Sequence, residues 1–211
     1  MVASTVEVFN RLWALFSSLG ILVGVIVISY LSYQVYRNRA RPDRPEPEDA
    51  PKPGEAPREQ ARARKLLLSV ALSAAIVITL ISMTFISLDI LDKPPQDAFE
   101  VKVVAFQWGW RFYYPNGYEA VGELRIPRGV PVKFYVTSSD VFHNMGIIDL
   151  RLKTDAIPGK INIIWTRVDA LGEYIIRCYE LCGDGHGVMT GRLIVMEPEE
   201  FNEWYSSLQV S

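Results

Sequence analysis

Cys178-Tyr-Glu-Leu-Cys-Gly-Asp-Gly-His-Gly-Val-Met189 holds both cysteines of the 211-residue chain, one of its two histidines and one of its five methionines. The spacing lets one tight loop offer two thiolates, an imidazole and a thioether. The remaining histidine, His143, lies upstream in a segment that reads as the end of a β-strand. A loop of this kind needs strands to hold it, and the sequence around it supplies them.

Soft thiolate and thioether donors with imidazole select Cu(I), zinc or iron–sulfur over hard ions. Two cysteines do not complete an iron–sulfur cluster, and only the two histidines could fill in. Zinc accepts a Cys₂His₂ set but has no use for a thioether. A weak axial methionine is a copper habit, and a one-copper blue site would take two histidines, one cysteine and the methionine. Here one thiolate is left over. Two thiolates able to bridge, with His143 and His186 as terminal ligands, suit a pair of copper ions sharing one electron. A disulfide between Cys178 and Cys182 is the bland alternative in an oxidising compartment, though it leaves the flanking histidine and methionine unexplained.

From Glu100 onward short runs rich in Val, Ile, Tyr, Phe and Trp alternate with the turn signals Pro115-Asn-Gly117, Pro127-Arg-Gly129, Pro158-Gly159 and Leu171-Gly172. This predicts strands at 101–107, 110–114, 121–126, 131–137, 145–149, 161–166, 173–178 and 191–196, and so a small β-sandwich or barrel. Phe201, Trp204, Tyr205 and Leu208 fall at helical spacing in a short closing helix.

Upstream, residues 12–36 and 66–88 contain no charged residue. Each block exceeds the roughly 20 residues that a helix needs to cross hydrocarbon, which predicts a transmembrane hairpin over 1–92. A signal peptide fits the first block poorly, because Glu7 precedes Arg11 and the apolar run is long. Small residues such as Ser69, Ala71, Ser73 and Ala74 would allow close helix approach in the second. Residues 37–65 form a proline-rich, charged connector that is too polar to bury itself. It carries nine Lys or Arg against one, Arg11, in the N-terminal tail. The positive-inside rule therefore puts the connector in the cytoplasm, and both termini with the 93–211 domain on the outer face of the cell membrane. The net charge of −2 and the lack of a basic stripe exclude nucleic acid as a partner.

The order of motifs resembles one family. Two spans are followed by Gln107-Trp-Gly-Trp110, Ser139-Asp-Val-Phe-His143, Asp155-Ala-Ile-Pro-Gly159, Asn162-Ile-Ile-Trp165 and the Cys-x-Glu-x-Cys-Gly-x-x-His-x-x-Met loop. Nearly the whole chain is similar to subunit II of haem–copper terminal oxidases of the cytochrome c oxidase type. The resemblance implies a cupredoxin-like Greek-key domain with a dinuclear copper centre, CuA. By motif position, Cys178 and Cys182 would bridge the coppers, and His143 and His186 would bind one each. Met189 and the backbone carbonyl of Glu180 would be weak ligands. The Glu180 carboxylate would reach a Mg²⁺ at the boundary with subunit I.

The same resemblance makes Trp108 the surface residue at which an electron arrives, where a lone tryptophan in an aromatic strand would by default be core. The usual aromatic neighbour is replaced by Gly109. It also implies the partners: haem–copper oxidase subunit I, further membrane subunits, and an external one-electron donor, cytochrome c or a small blue copper protein. The quinol-oxidase relatives lack the copper ligands that this chain has. Nitric oxide reductase with a CuA-bearing small subunit, and a membrane-anchored copper carrier, are the rival functions. Glu59 lies shortly before the second span, near where family members often have a glutamate at the mouth of a proton channel in subunit I, and a solvated charge is the favoured reading of it. After residue 88, seventeen acidic residues face twelve basic ones, which is compatible with a basic donor whose binding weakens with salt.

Overall fold

The computed structural model describes residues 4–39 and 63–208. Glu59 and most of the connector lie outside the described residues. Two long helices come first, α1 (Thr5–Asn38) and α2 (Ala63–Asp92). Their most apolar windows have mean hydropathies of 2.3 and 2.5, and side chains such as Ile21, Ile28, Leu68 and Phe85 are exposed all round. Apolar residues on every face of an unburied helix suit lipid. Both helices run past the uncharged blocks into charged turns at either end, because intrahelical hydrogen bonding does not stop where the apolar composition does. The first turns of α1, through Arg11, group with the chain from Ile86 onward, and Leu12–Phe85 forms a second unit.

Ten strands follow: β1 (Phe99–Phe106), β2 (Gly109–Tyr113), β3 (Glu119–Val121), β4 (Glu123–Pro127), β5 (Pro131–Ser138), β6 (His143–Ile147), β7 (Leu152–Ala156), β8 (Asn162–Arg167), β9 (Gly172–Cys178) and β10 (Thr190–Met196). They form two five-stranded sheets, ordered β3-β2-β1-β5-β8 and β4-β10-β9-β6-β7. Strand alternation builds the core between them. Val132, Phe134 and Val136 of β5 and Leu193 and Val195 of β10 turn inward, where they meet Val101, Val103, Trp110, Phe112 and Ile176. Full burial of such a side chain contributes about 1.5–3 kcal/mol. The expected strand over 121–126 is broken at Gly122, whose φ of +75° ends β3 and lets β4 pass to the other sheet.

The last helix, α3 (Pro198–Ser207), closes one end of the sandwich. Phe201 and Tyr205 meet the Phe99 ring edge-on at 5.4 and 5.6 Å, and Trp204 meets Tyr114 at 5.5 Å. Buried beneath them, the Tyr114 hydroxyl donates to the Arg125 carbonyl at 3.0 Å and accepts from the Arg125 amide at 2.8 Å. Burial holds this hydroxyl well above the usual tyrosine range, so it stays protonated and able to donate. Tyr114→Phe would leave both backbone groups without a partner. A loss of about 1–3 kcal/mol is expected, read as a lower denaturant midpoint with unchanged slope.

The first turn of α1 and the last turn of α2 are tied to the β-domain at neighbouring residues. Thr5 Oγ1, near the start of α1, shares a 2.9 Å hydrogen bond with Thr166 Oγ1 and donates to the Leu150 carbonyl. The indole of Trp165 donates to the carbonyl of Leu91 at the end of α2, at 2.7 Å. So the start of α1 and the end of α2 meet the same strand, β8.

Candidate metal centre

Sheet order brings three distant residues side by side. In the run β10-β9-β6, Met189 stands just before β10, Cys178 ends β9 and His143 begins β6. The register is fixed by the amide of Cys178 donating to the Met189 carbonyl at 3.2 Å and that of Tyr179 to the Asn144 carbonyl at 2.9 Å. Cys182 and His186 are then added by the loop itself. The amide of His186 donates to the Gly183 carbonyl at 3.0 Å, and a 3₁₀ turn over His186–Val188 returns the chain to Met189.

The six expected donors converge. Cys178 Sγ lies 3.7 Å from Cys182 Sγ, 3.7 Å from His143 Nδ1 and 3.3 Å from the Glu180 carbonyl oxygen. Cys182 Sγ lies 3.6 Å from His186 Nδ1 and 3.7 Å from Met189 Sδ. Each thiol thus has its own imidazole. The ligand atoms of His143, Cys178 and Cys182 all lie within 4.8 Å of one another, and His186 stands outside that group. The two thiols are free, at a separation far beyond the roughly 2.05 Å of a disulfide bond. His143, both cysteines and Met189 are buried, while His186 and Glu180 are partly exposed. Burial, and next the neighbouring Cys178, push the Cys182 thiol up to about 11, so a metal entering here must displace protons.

Sequence reasoning missed two supporting residues. Asp140 lies three residues before His143, and its carboxylate accepts from the His143 ring at Nε2, 2.9 Å away. It also accepts from the amides of Gln107 and Val141 and from the Ser138 hydroxyl. Burial works to raise its pKa, but the bond to His143 and the two amides outweigh it and hold the carboxylate below its ordinary range. A carboxylate there keeps the imidazole proton on Nε2 and turns the Nδ1 lone pair toward Cys178. Gln107 Nε2 donates to the Cys182 carbonyl at 2.8 Å. Both residues stood inside quoted motifs, yet a local carboxylate or amide has no spacing signature that marks it as a support.

Trp108 stands at the surface, 43% exposed, and its indole donates to the same Cys182 carbonyl at 3.2 Å. Its ring packs against the metal loop. A Cβ at Gly185 would sit 2.4 Å from the indole, so that position must be glycine for the ring to pack there. Trp110, on β2, and Met145, on β6, are fully buried.

Comparison with known proteins identifies the family. Residues 118–197 match the family described as cytochrome c oxidase subunit II, periplasmic domain. The chain is 36% identical to heme-copper oxidase subunit 2 of Aeropyrum pernix, over 98% of this chain and 92% of that protein. It is 33% identical to a probable cytochrome c oxidase subunit 2 of Rickettsia prowazekii, over 67% of this chain and about half, 53%, of that one. Among solved structures, the periplasmic domain of subunit II of cytochrome oxidase from Bradyrhizobium japonicum superposes with a TM-score of 0.52 at 27% identity, covering 55% of this chain and 96% of that domain. On near full-length similarity, a shared fold and the order of its motifs, the chain belongs to the cytochrome c oxidase subunit II family.

Proposed function

We propose that His143, Cys178, Cys182, His186, Met189 and the Glu180 carbonyl hold a dinuclear copper centre, CuA, through which a haem–copper oxidase takes up electrons. The observation that carries this is the separate pairing of each thiol with one imidazole. A single tetrahedral zinc would draw all four ligand atoms to within about 3.3–3.8 Å of one another, given bonds of ~2.3 Å to sulfur and ~2.0 Å to nitrogen. His186 outside the tight group supports two metal positions bridged by the thiols instead.

When bound, such a pair supplies one-electron redox chemistry. The chain contributes fixed geometry: three strand ends, a short turn, and the Asp140 and Gln107 contacts hold the donors before any metal arrives. Trp108 takes the electron from cytochrome c or a small blue copper protein and hands it on through the Cys182 carbonyl that its indole touches. Copper held by these residues would link that entry point to haem in subunit I, where O₂ is reduced to water. The carboxylate of Glu180, a partly exposed residue, would offer Mg²⁺ a hard oxygen at that boundary. Further membrane subunits and lipid complete the surroundings. With the start of α1 and the end of α2 both held by β8, both termini and the domain share the outer face of the cell membrane.

Trp108→Gln is expected to slow reduction of the copper by the donor by about tenfold or more while the copper spectrum is retained. An unchanged rate removes Trp108 from the path. For the function itself, the complex extracted from membranes should contain haem and consume O₂ with a reduced donor. Consumption of NO instead, or a copper protein without haem, would replace this function with a reductase or a carrier.

A further inference from the structure

Arg151 sits where the chain least favours an arginine. It closes the 3₁₀ turn Ile148–Leu150 between β6 and β7 with a φ of +53°, and it is the one residue other than glycine with positive φ among the described residues. The left-handed conformation crowds a Cβ, so glycine or asparagine is the ordinary choice there. What the arginine gains is a place for its side chain. The guanidinium lies over the Phe9 ring of α1, 4.6 Å from its centre. Thr5 ties the start of α1 to the turn, its hydroxyl donating to the Leu150 carbonyl at 3.2 Å, and Val8 is buried.

This contact stands at the edge of the membrane. Phe9 precedes Leu12, where the uncharged block of α1 begins, by three residues, about 4.5 Å of helix rise. The polar headgroup layer is about 5–7 Å deep on each side of the hydrocarbon, so Phe9 and the guanidinium on it lie at the level of lipid phosphate. Glu7 and Arg11 pair with each other, and each is two residues from Phe9, about 200° round the helix. Their charges therefore belong to the other side of α1. Arg111, Arg125, Arg128, Arg167 and Arg192 of the β-domain all have carboxylate partners. Arg151 is exposed and has none among the described residues. Asp149, in the same turn, is exposed as well and makes no ion pair with it.

We propose that Arg151, seated on Phe9, binds the phosphate of an anionic phospholipid. The ring supports the flat guanidinium by cation–π attraction, and the guanidinium offers a fork of N–H donors that matches phosphate oxygens. Phosphate is the group that the bilayer itself places at this depth, which favours lipid over a carboxylate of a neighbouring chain. Bound lipid would also steady the turn that ends β6, the strand that begins with His143.

The test is native mass spectrometry of the full-length chain in uncharged detergent, titrated with dioctanoyl phosphatidylglycerol, dioctanoyl phosphatidylcholine and inorganic phosphate. The wild type should hold one phosphatidylglycerol, more tightly than phosphatidylcholine by about fivefold or more. Arg151→Gly should weaken that binding by about tenfold or more, as expected for loss of a hydrogen bond to a charged group. Its thermal midpoint should be unchanged or higher, because glycine suits the left-handed turn. Phe9→Leu should weaken binding by about 2–5-fold, and Asp149→Asn should tighten it by removing a like charge. Should Arg151→Gly lower the midpoint, Arg151→Asn replaces it, since asparagine also tolerates positive φ. Equal phosphatidylglycerol affinity in the wild type and the Arg151 variant would overturn the proposal. Displacement of the lipid by inorganic phosphate at about 10 mM would overturn it too, by making this a site for the free ion, whose binding then needs no bilayer. In the intact complex, loss of subunit I from Arg151→Gly with the chain's lipid affinity unchanged would assign the arginine to a subunit I carboxylate instead.

Discussion

Cys182→Ser is expected to reduce the copper content from two per chain to one or none and to erase the mixed-valence EPR signal. Cys182 Sγ touches three members of the set: Cys178 Sγ, His186 Nδ1 and Met189 Sδ all lie 3.6–3.7 Å from it. A serine hydroxyl is a hard, weakly acidic donor that neither bridges copper nor matches its softness. Removing this ligand should cost more than the roughly 10–100-fold in affinity typical of losing an outer partner. Donor-driven O₂ consumption should fall by at least about 100-fold with it. The fold should persist, since Cys182 sits in the loop between β9 and β10 and serine is close to cysteine in size. Metal analysis and EPR on the same sample check the result, and two coppers retained with an unchanged signal would contradict the bridging role.

Asp140→Ala should weaken copper binding by about 10–100-fold, measured by competition with a chelator. The substitution removes the acceptor for His143 Nε2 and the anchor for the Gln107 amide in one step. Without that acceptor the ring proton is free to sit on either nitrogen, and the neutral tautomer with Nδ1 protonated cannot bind metal through the atom that faces Cys178. Asp140→Asn keeps an acceptor oxygen and should fall between the two. Affinity unchanged in Asp140→Ala would mean that the strands alone orient His143.

Strand alternation and turn residues revealed most of the β-domain, because its strands bury one face each. Strand β7 escaped notice. Leu152-Lys-Thr-Asp-Ala156 is a short, polar edge strand with only its two ends buried, so its sequence carries little alternation. The break between β3 and β4 was hidden for a different reason: a single glycine redirects the chain without altering the apolar pattern on either side. The proposed metal donors were legible because cysteine and histidine are scarce in this chain and their spacing suits little besides metal binding. Asp140 and Gln107 were not, since their roles come from contacts made across the fold.

The most direct test of the metal assignment is copper content and EPR on the purified full-length chain, reconstituted in detergent with copper under reducing conditions and then partly oxidised. Two coppers per chain, with one unpaired electron delocalised over both, is the expected result. A single copper with an ordinary one-metal spectrum, or preferential retention of zinc, would contradict it.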